Sequence, residues 1–213
     1  MKRTTVWAYA AVAVYIWGAP LGFAATVDFD TLTPGTTVGH PDDAAGDLVL
    51  TEDGIAVRVE TFFTIAGYEG FNTATALSHE GDDIYLDLDN ISMWFDFTGL
   101  EFPVTSVMVE YWYSGGENNF AVNQEHISYD TVHILWSFAD GLPVDVAPGV
   151  TATVYEDPIT GNGTIMLDGS ITNFLIGGQE LCIDNIIAVP EPASLVLFAF
   201  GAWALIRRRT TLP

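Results

Sequence analysis

Basic residues are almost missing from this chain. Six Lys and Arg stand against 28 Asp and Glu, and five of the six lie at the ends: Lys2, Arg3, Arg207, Arg208 and Arg209. Only Arg58 lies between them, against 27 of the acids, a formal charge of −26 over residues 25–188. A field of that sign repels phosphate and anionic membrane surfaces, which excludes nucleic acid as a partner. One cation cannot pair with so many carboxylates, so the acids stand in water or are neutralised by bound cations. Cysteine is equally scarce. The single Cys182 forbids an internal disulfide, and its place between Leu181 and Ile183 in an apolar alternation reads as a buried, inert thiol. Catalytic motifs are missing too: there is no His-Glu-x-x-His, no Gly-x-Ser-x-Gly and no nucleotide-binding Gly-rich loop. His40, His79, His126 and His133 are scattered without zinc-ligand spacing. No window between the two ends carries a sustained helical period with caps.

What the chain has instead is period-two alternation. Ile55, Val57 and Val59 share one face of a strand. In 83–89, Ile84, Leu86 and Leu88 point inward while Asp87 and Asp89 point out. Further strands are expected over 92–97, 104–113, 131–138, 150–155, 164–167, 171–176 and 181–188. Turn strings separate them: Ser114-Gly-Gly-Glu-Asn-Asn, Asn162-Gly163 and Gly177-Gly178-Gln179-Glu180. Strands every ten or so residues predict an all-β, antiparallel, jelly-roll-like β-sandwich.

The ends are a different kind of sequence. Lys2 and Arg3 precede an apolar run over 6–17, with Gly18 and Pro20 after it and small residues at Gly22 and Ala24. This is the pattern of a signal peptide cut after Ala24; as an uncut anchor the run falls short of the about 20 apolar residues that spanning needs. At the other end, Val189-Pro190-Glu191-Pro192-Ala193 opens an apolar run to Ile206, closed by Arg207, Arg208 and Arg209. Residues 193–206 would make a helix about 21 Å long against roughly 30 Å of hydrocarbon, and the arginines favour the cytoplasmic side. Prolines at 190 and 192 are expected to keep the segment out of the preceding strand. The chain therefore divides into a signal helix (1–24), an acidic β-sandwich (25–188) and a sorting tail with a short hydrophobic helix (189–213).

Motif, apolar run and basic cluster in this order resemble the PEP-CTERM sorting tail of exported bacterial surface proteins. The resemblance covers only the tail. It implies export machinery and an exosortase-like processing enzyme as partners, a transient hold at the inner membrane, and delivery to the cell surface or an exopolysaccharide matrix. Thr26-Val-Asp-Phe-Asp-Thr-Leu after the signal and Ile183-Asp184-Asn185 before the tail resemble the first and last strands of galactose-binding-like jelly rolls. That resemblance implies a fold in which the two strands lie near one another, and no ligand.

Three chemistries fit the body. Asp28, Asp30 and Asp184 would converge if the first and last strands are neighbours, giving hard oxygen ligands for a structural calcium ion, although no calcium loop is present and strand-end acids facing water are the simpler account. No cofactor is otherwise required. Trp112 faces away from Tyr111 and Tyr113 by alternation, and Tyr68 lies in a Gly-rich loop; both suit stacking on sugar rings, against ordinary core packing. A hydrolase would need two carboxylates across a cleft, and nothing in the order of 27 acids selects a pair. The expectation is a non-enzymatic surface or matrix protein, with a carbohydrate-binding module as the alternative and a secreted hydrolase third. A concave face with aromatics and carboxylates would favour sugar binding; a convex, evenly acidic one, a structural role.

Overall fold

The computed structural model describes residues 24–190, except 65, 67–68, 71, 79–82, 125–131, 134–137, 139 and 158–159. The signal segment, Tyr68, most of the strand expected over 131–138 and the tail beyond Pro190 lie outside the described residues.

Every ladder among the described residues is antiparallel, and alternation sets each strand's buried face. In β4 (Ile55–Glu60) and β8 (Ile84–Asp89) every second side chain is buried. Each large apolar side chain so removed from water contributes about 1.5–3 kcal/mol. The other short strands are β1 (Ala25–Val27), β2 (Thr37–Gly39), β3 (Leu48–Glu52), β5 (Phe62–Phe63), β6 (Glu69–Gly70), β7 (Thr73–Ser78) and β9 (Ile91–Asp96). β11 (Val144–Ala147), β12 (Val150–Glu156) and β13 (Asn162–Ile171) form a meander.

Two strands organise the rest. β10 (Val104–Val122) and β14 (Asn173–Pro190) pair from Val104↔Pro190 to Val122↔Phe174. β14 changes partner on its other side along its length: β9 over 173–178, β8 over 181–183, then β1 over 186–188. One branch of the sheet runs through β10, β13, β12 and β11, and another through β8, β7 and β2. The ladder β9–β4–β3 joins the early half of β14. A single apolar core draws on all these branches. Phe174 sits within it, stacked on Phe95 at 4.8 Å and on Phe97 at 5.9 Å between ring centroids.

The expected turns at 114–119 and 177–180 do not form, because both strands run through them. Gly115 (φ 149) and Gly116 (φ 78) absorb a bulge where the β10–β14 register shifts. Gly177 serves close approach instead of turning: a Cβ there would collide with Ser92 Oγ and come within 2.8 Å of the Ile91 carbonyl oxygen of β9. Asn162-Gly163 likewise lies inside β13, and the turn sits earlier, closed by Gly161 (φ 72), whose N–H donates to the Asp157 carbonyl. Pro190 ends β14 opposite Val104, where a missing N–H costs the sheet little.

Gly177→Ala should therefore lower stability by about 1–3 kcal/mol, the range for overpacking, read as a lower urea midpoint. A hairpin turn at this point would tolerate the same change.

Candidate functional site

The register brings outward-facing side chains into rows across the sheet. Tyr155 of β12 lies opposite Thr164 of β13, Thr164 opposite Glu110 of β10, and Glu110 opposite Asp184 of β14. The next row holds Trp112 opposite Cys182, and Cys182 opposite Asp87 of β8. Directly opposite residues have Cβ atoms about 5 Å apart, so five strands present one continuous polar and aromatic face. A groove of about 710 Å³ lies over it, lined by these residues other than Asp87, together with Tyr85 and the acids Asp83, Asp140, Glu156 and Asp157.

Trp112, Tyr85 and Tyr155 build its surface. Trp112 is half-buried and lies 4.2 Å from Tyr85 between ring centroids, tilted by 56°. Tyr155 is 52% exposed, and its ring lies against Gly141, 3.5 Å from where a Cβ would stand there. Tyr111, on the opposite face from Trp112 as alternation requires, is buried. It lies so close over Gly163 that a Cβ there would collide with the ring, and its hydroxyl donates to Glu156 Oε2 at 2.9 Å. Burial first, and the Glu156 carboxylate second, push the Tyr111 phenol above the ordinary range. Cys182 is buried, its thiol raised by burial and then by Asp87, whose Oδ1 it faces at 3.5 Å. A thiol so held is neutral and unreactive.

The carboxylates are held from the side. Asp140 Oδ1 accepts from the Glu156 amide at 3.1 Å. Asn185, with a left-handed backbone (φ 49), donates through its side chain to Glu110 Oε2 at 2.9 Å and to Asp184 Oδ2 at 3.2 Å, while its amide donates to Asp184 Oδ1 at 2.7 Å. Burial pushes the Asp184 carboxyl up to about 6, with further raising from Glu110, Asp30 and Asp28, against the lowering bond from Asn185.

β1 and β14 are neighbours, with Val27 opposite Ile186, so Asp28, Asp30 and Asp184 do come near one another. Asp28 and Asp30 are not strand residues, however. β1 ends at Val27, and the buried Phe29 takes a left-handed φ of 60. Their oxygens cap backbone: Asp28 Oδ1 accepts from the Asp30 amide, Asp30 Oδ1 from the Ile84 amide. Among the described residues, no group of three His, Cys, Asp or Glu side chains is arranged to hold a metal ion.

Of the sugar-contact candidates, Trp112 lies in the groove. Glu110, Tyr85, Tyr155, Asp140 and Glu156 had no motif to mark them. An outward aromatic within an alternating strand, as at Tyr85 and Tyr155, is the available signal, and the rows that join them are a product of register. Of the sorting motif, Val189 and Pro190 lie at the end of β14, paired with Ser106 and Val104, and Val189 is 37% exposed. The strand thus absorbs the start of a motif whose prolines were expected to stand clear of it. Ala24 is exposed and immediately precedes β1.

Two outcomes follow. Because Asp184 binds its proton more tightly folded than unfolded, its ionisation costs stability progressively as pH rises from about 4 to about 6. Asp184→Asn should melt higher than the parent chain above pH 6, and thermal melts of the two should converge below pH 4. A stop codon after Pro190 should release a body with the parent urea midpoint, whereas a stop after Ala188 removes the last rungs of β14 and should lower it.

Residues 188–209 match the PEP-CTERM protein-sorting motif. No curated protein and no solved structure matches the chain. The motif spans the end of β14 and continues through the basic cluster at Arg207, Arg208 and Arg209. It implies processing by an exosortase and an exported, surface-associated protein.

Proposed function

We propose that this chain is a non-enzymatic exported surface protein whose body binds extracellular polysaccharide. The observation that carries the reading is the groove. Trp112, Tyr85 and Tyr155 provide ring faces on one side of a sheet, and carboxylates that can accept from hydroxyls flank them. Aromatic faces with a few placed polar groups are how a protein holds a ring-shaped, hydroxyl-rich ligand. The supporting acids are tied to Asn185, Tyr111 and the Glu156 amide, an arrangement suited to holding a ligand still and not to passing protons. The two long strands and the single core support reading the two halves of the sheet as the layers of a jelly-roll-like sandwich. The tail holds the protein at the inner membrane until processing delivers it to the surface or matrix.

The test is retention of the purified full-length protein, in mild detergent, on a panel of immobilised neutral, acidic and amino polysaccharides. Tyr155→Ala should weaken the retained interaction about tenfold, the equivalent of roughly 1.4 kcal/mol, with an unchanged urea midpoint because Tyr155 lies outside the core. Passage of the parent protein through every column overturns the reading.

A further inference from the structure

The charge of the groove narrows the ligand. Among the described residues six carboxylates line it, from Asp83, Glu110, Asp140, Glu156, Asp157 and Asp184, and no Lys, Arg or His does. The whole body has only Arg58 to offer an anion, and that guanidinium donates to the Gly46 carbonyl, away from the groove. Uronic or sulfated polymers would bring a second set of negative charges to this face and be repelled. A neutral sugar would cover the carboxylates with hydroxyls, removing their water without returning any charge, which costs free energy for each acid covered. A sugar carrying a protonated amine meets neither penalty. An ammonium hydrogen-bonds to carboxylate with charge assistance and is attracted to the face of Trp or Tyr.

The register places both partners for such a group side by side. Glu110 and Asp184 face each other across the β10–β14 ladder, and Trp112 stands two residues further along β10, roughly 7 Å away at the rise of a strand. Asn185 bridges Glu110 Oε2 and Asp184 Oδ2, so a ring resting on Trp112 and Tyr85 can place an amine against the outer side of this pair, where Glu110 lines the groove. Asp28, Asp30 and Glu110 all press negative charge on Asp184, and a cation delivered there relieves that repulsion.

We propose that the groove selects polysaccharide bearing free, protonated amino sugars, in other words a de-N-acetylated hexosamine polymer. This rests on the polysaccharide reading above. The experiment measures binding of the full-length protein to a β-linked glucosamine tetramer and to its fully N-acetylated counterpart, which differ only in the amine. The expected result is at least tenfold preference for the free amine, reduced by added salt. Glu110→Gln should erase most of that preference, and Tyr155→Ala should weaken binding of the amine form. Asp145→Asn and Asp168→Asn, which remove equal charge from exposed positions outside the groove, should leave it intact.

Equal binding of the two tetramers overturns the amine selectivity and leaves polysaccharide binding standing. Binding of the amine form that is untouched by Tyr155→Ala, or weakened equally by Asp145→Asn, shows attraction to the acidic body at large and overturns the groove as the site. Binding of neither tetramer, with none to the polysaccharide panel, overturns both readings.

Discussion

β14 can touch β9 only because Gly177 has no side chain, and that contact lets one strand serve both halves of the sheet. A Cβ at this point would force the strands apart, and with them the Phe95–Phe174 stack that lies three residues earlier along β14. Beyond Gly177 and Gly178 the same strand leaves β9 for β8 and then β1. Its other edge remains on β10 throughout, with Gly115 and Gly116 taking up the mismatch in register. The groove depends on this arrangement, since Asp184 and Cys182 come from the later part of β14, Glu110 and Trp112 from the matching part of β10, and no short strand supplies both.

Electrostatics shape the outside as packing shapes the inside. A body of charge −26 repels its own copies and stays dispersed in water, at the cost of self-repulsion that the apolar core must outweigh. The structure deals with individual acids by giving them amide donors: Asp28 and Asp30 cap backbone beyond β1, and Asp43 and Asp47 accept from the His40 and Ala44 amides. Asp184 also accepts from an amide, that of Asn185, yet burial and crowding push it out of the ordinary carboxylate range. That acid borders the aromatic ledge.

The strands and their faces were legible in the sequence because period two directly encodes which side is buried: Ile55, Val57, Val59, Ile84, Leu86 and Leu88 are all in the core. Glycine was the source of error. Gly-Gly pairs at 115–116 and 177–178 read as turns, and in the structure they permit a bulge and a close strand crossing; both uses need a missing Cβ, and local sequence does not separate them. Trp112 was identifiable from alternation alone. Its partners were not, since Tyr155, Glu110 and Asp184 are joined by register across strands up to 74 residues apart in sequence. The tail motif was legible because its residues are contiguous, while the strand's hold on its first two prolonged β14 past the point where proline suggested a stop.

The antiparallel pairing of Ala25 with Ala188 has a mechanical consequence. The start of β1 and the end of β14 leave the body at the same end of adjacent strands, so a pull that separates them opens the ladder rung by rung instead of shearing it. The β1–β14 ladder has three rungs, so it peels under a small load. β14 stays held along its other edge by β10. A tug on the two termini is thus spent on a short, replaceable contact, and the frame that carries the groove is the last part to feel it.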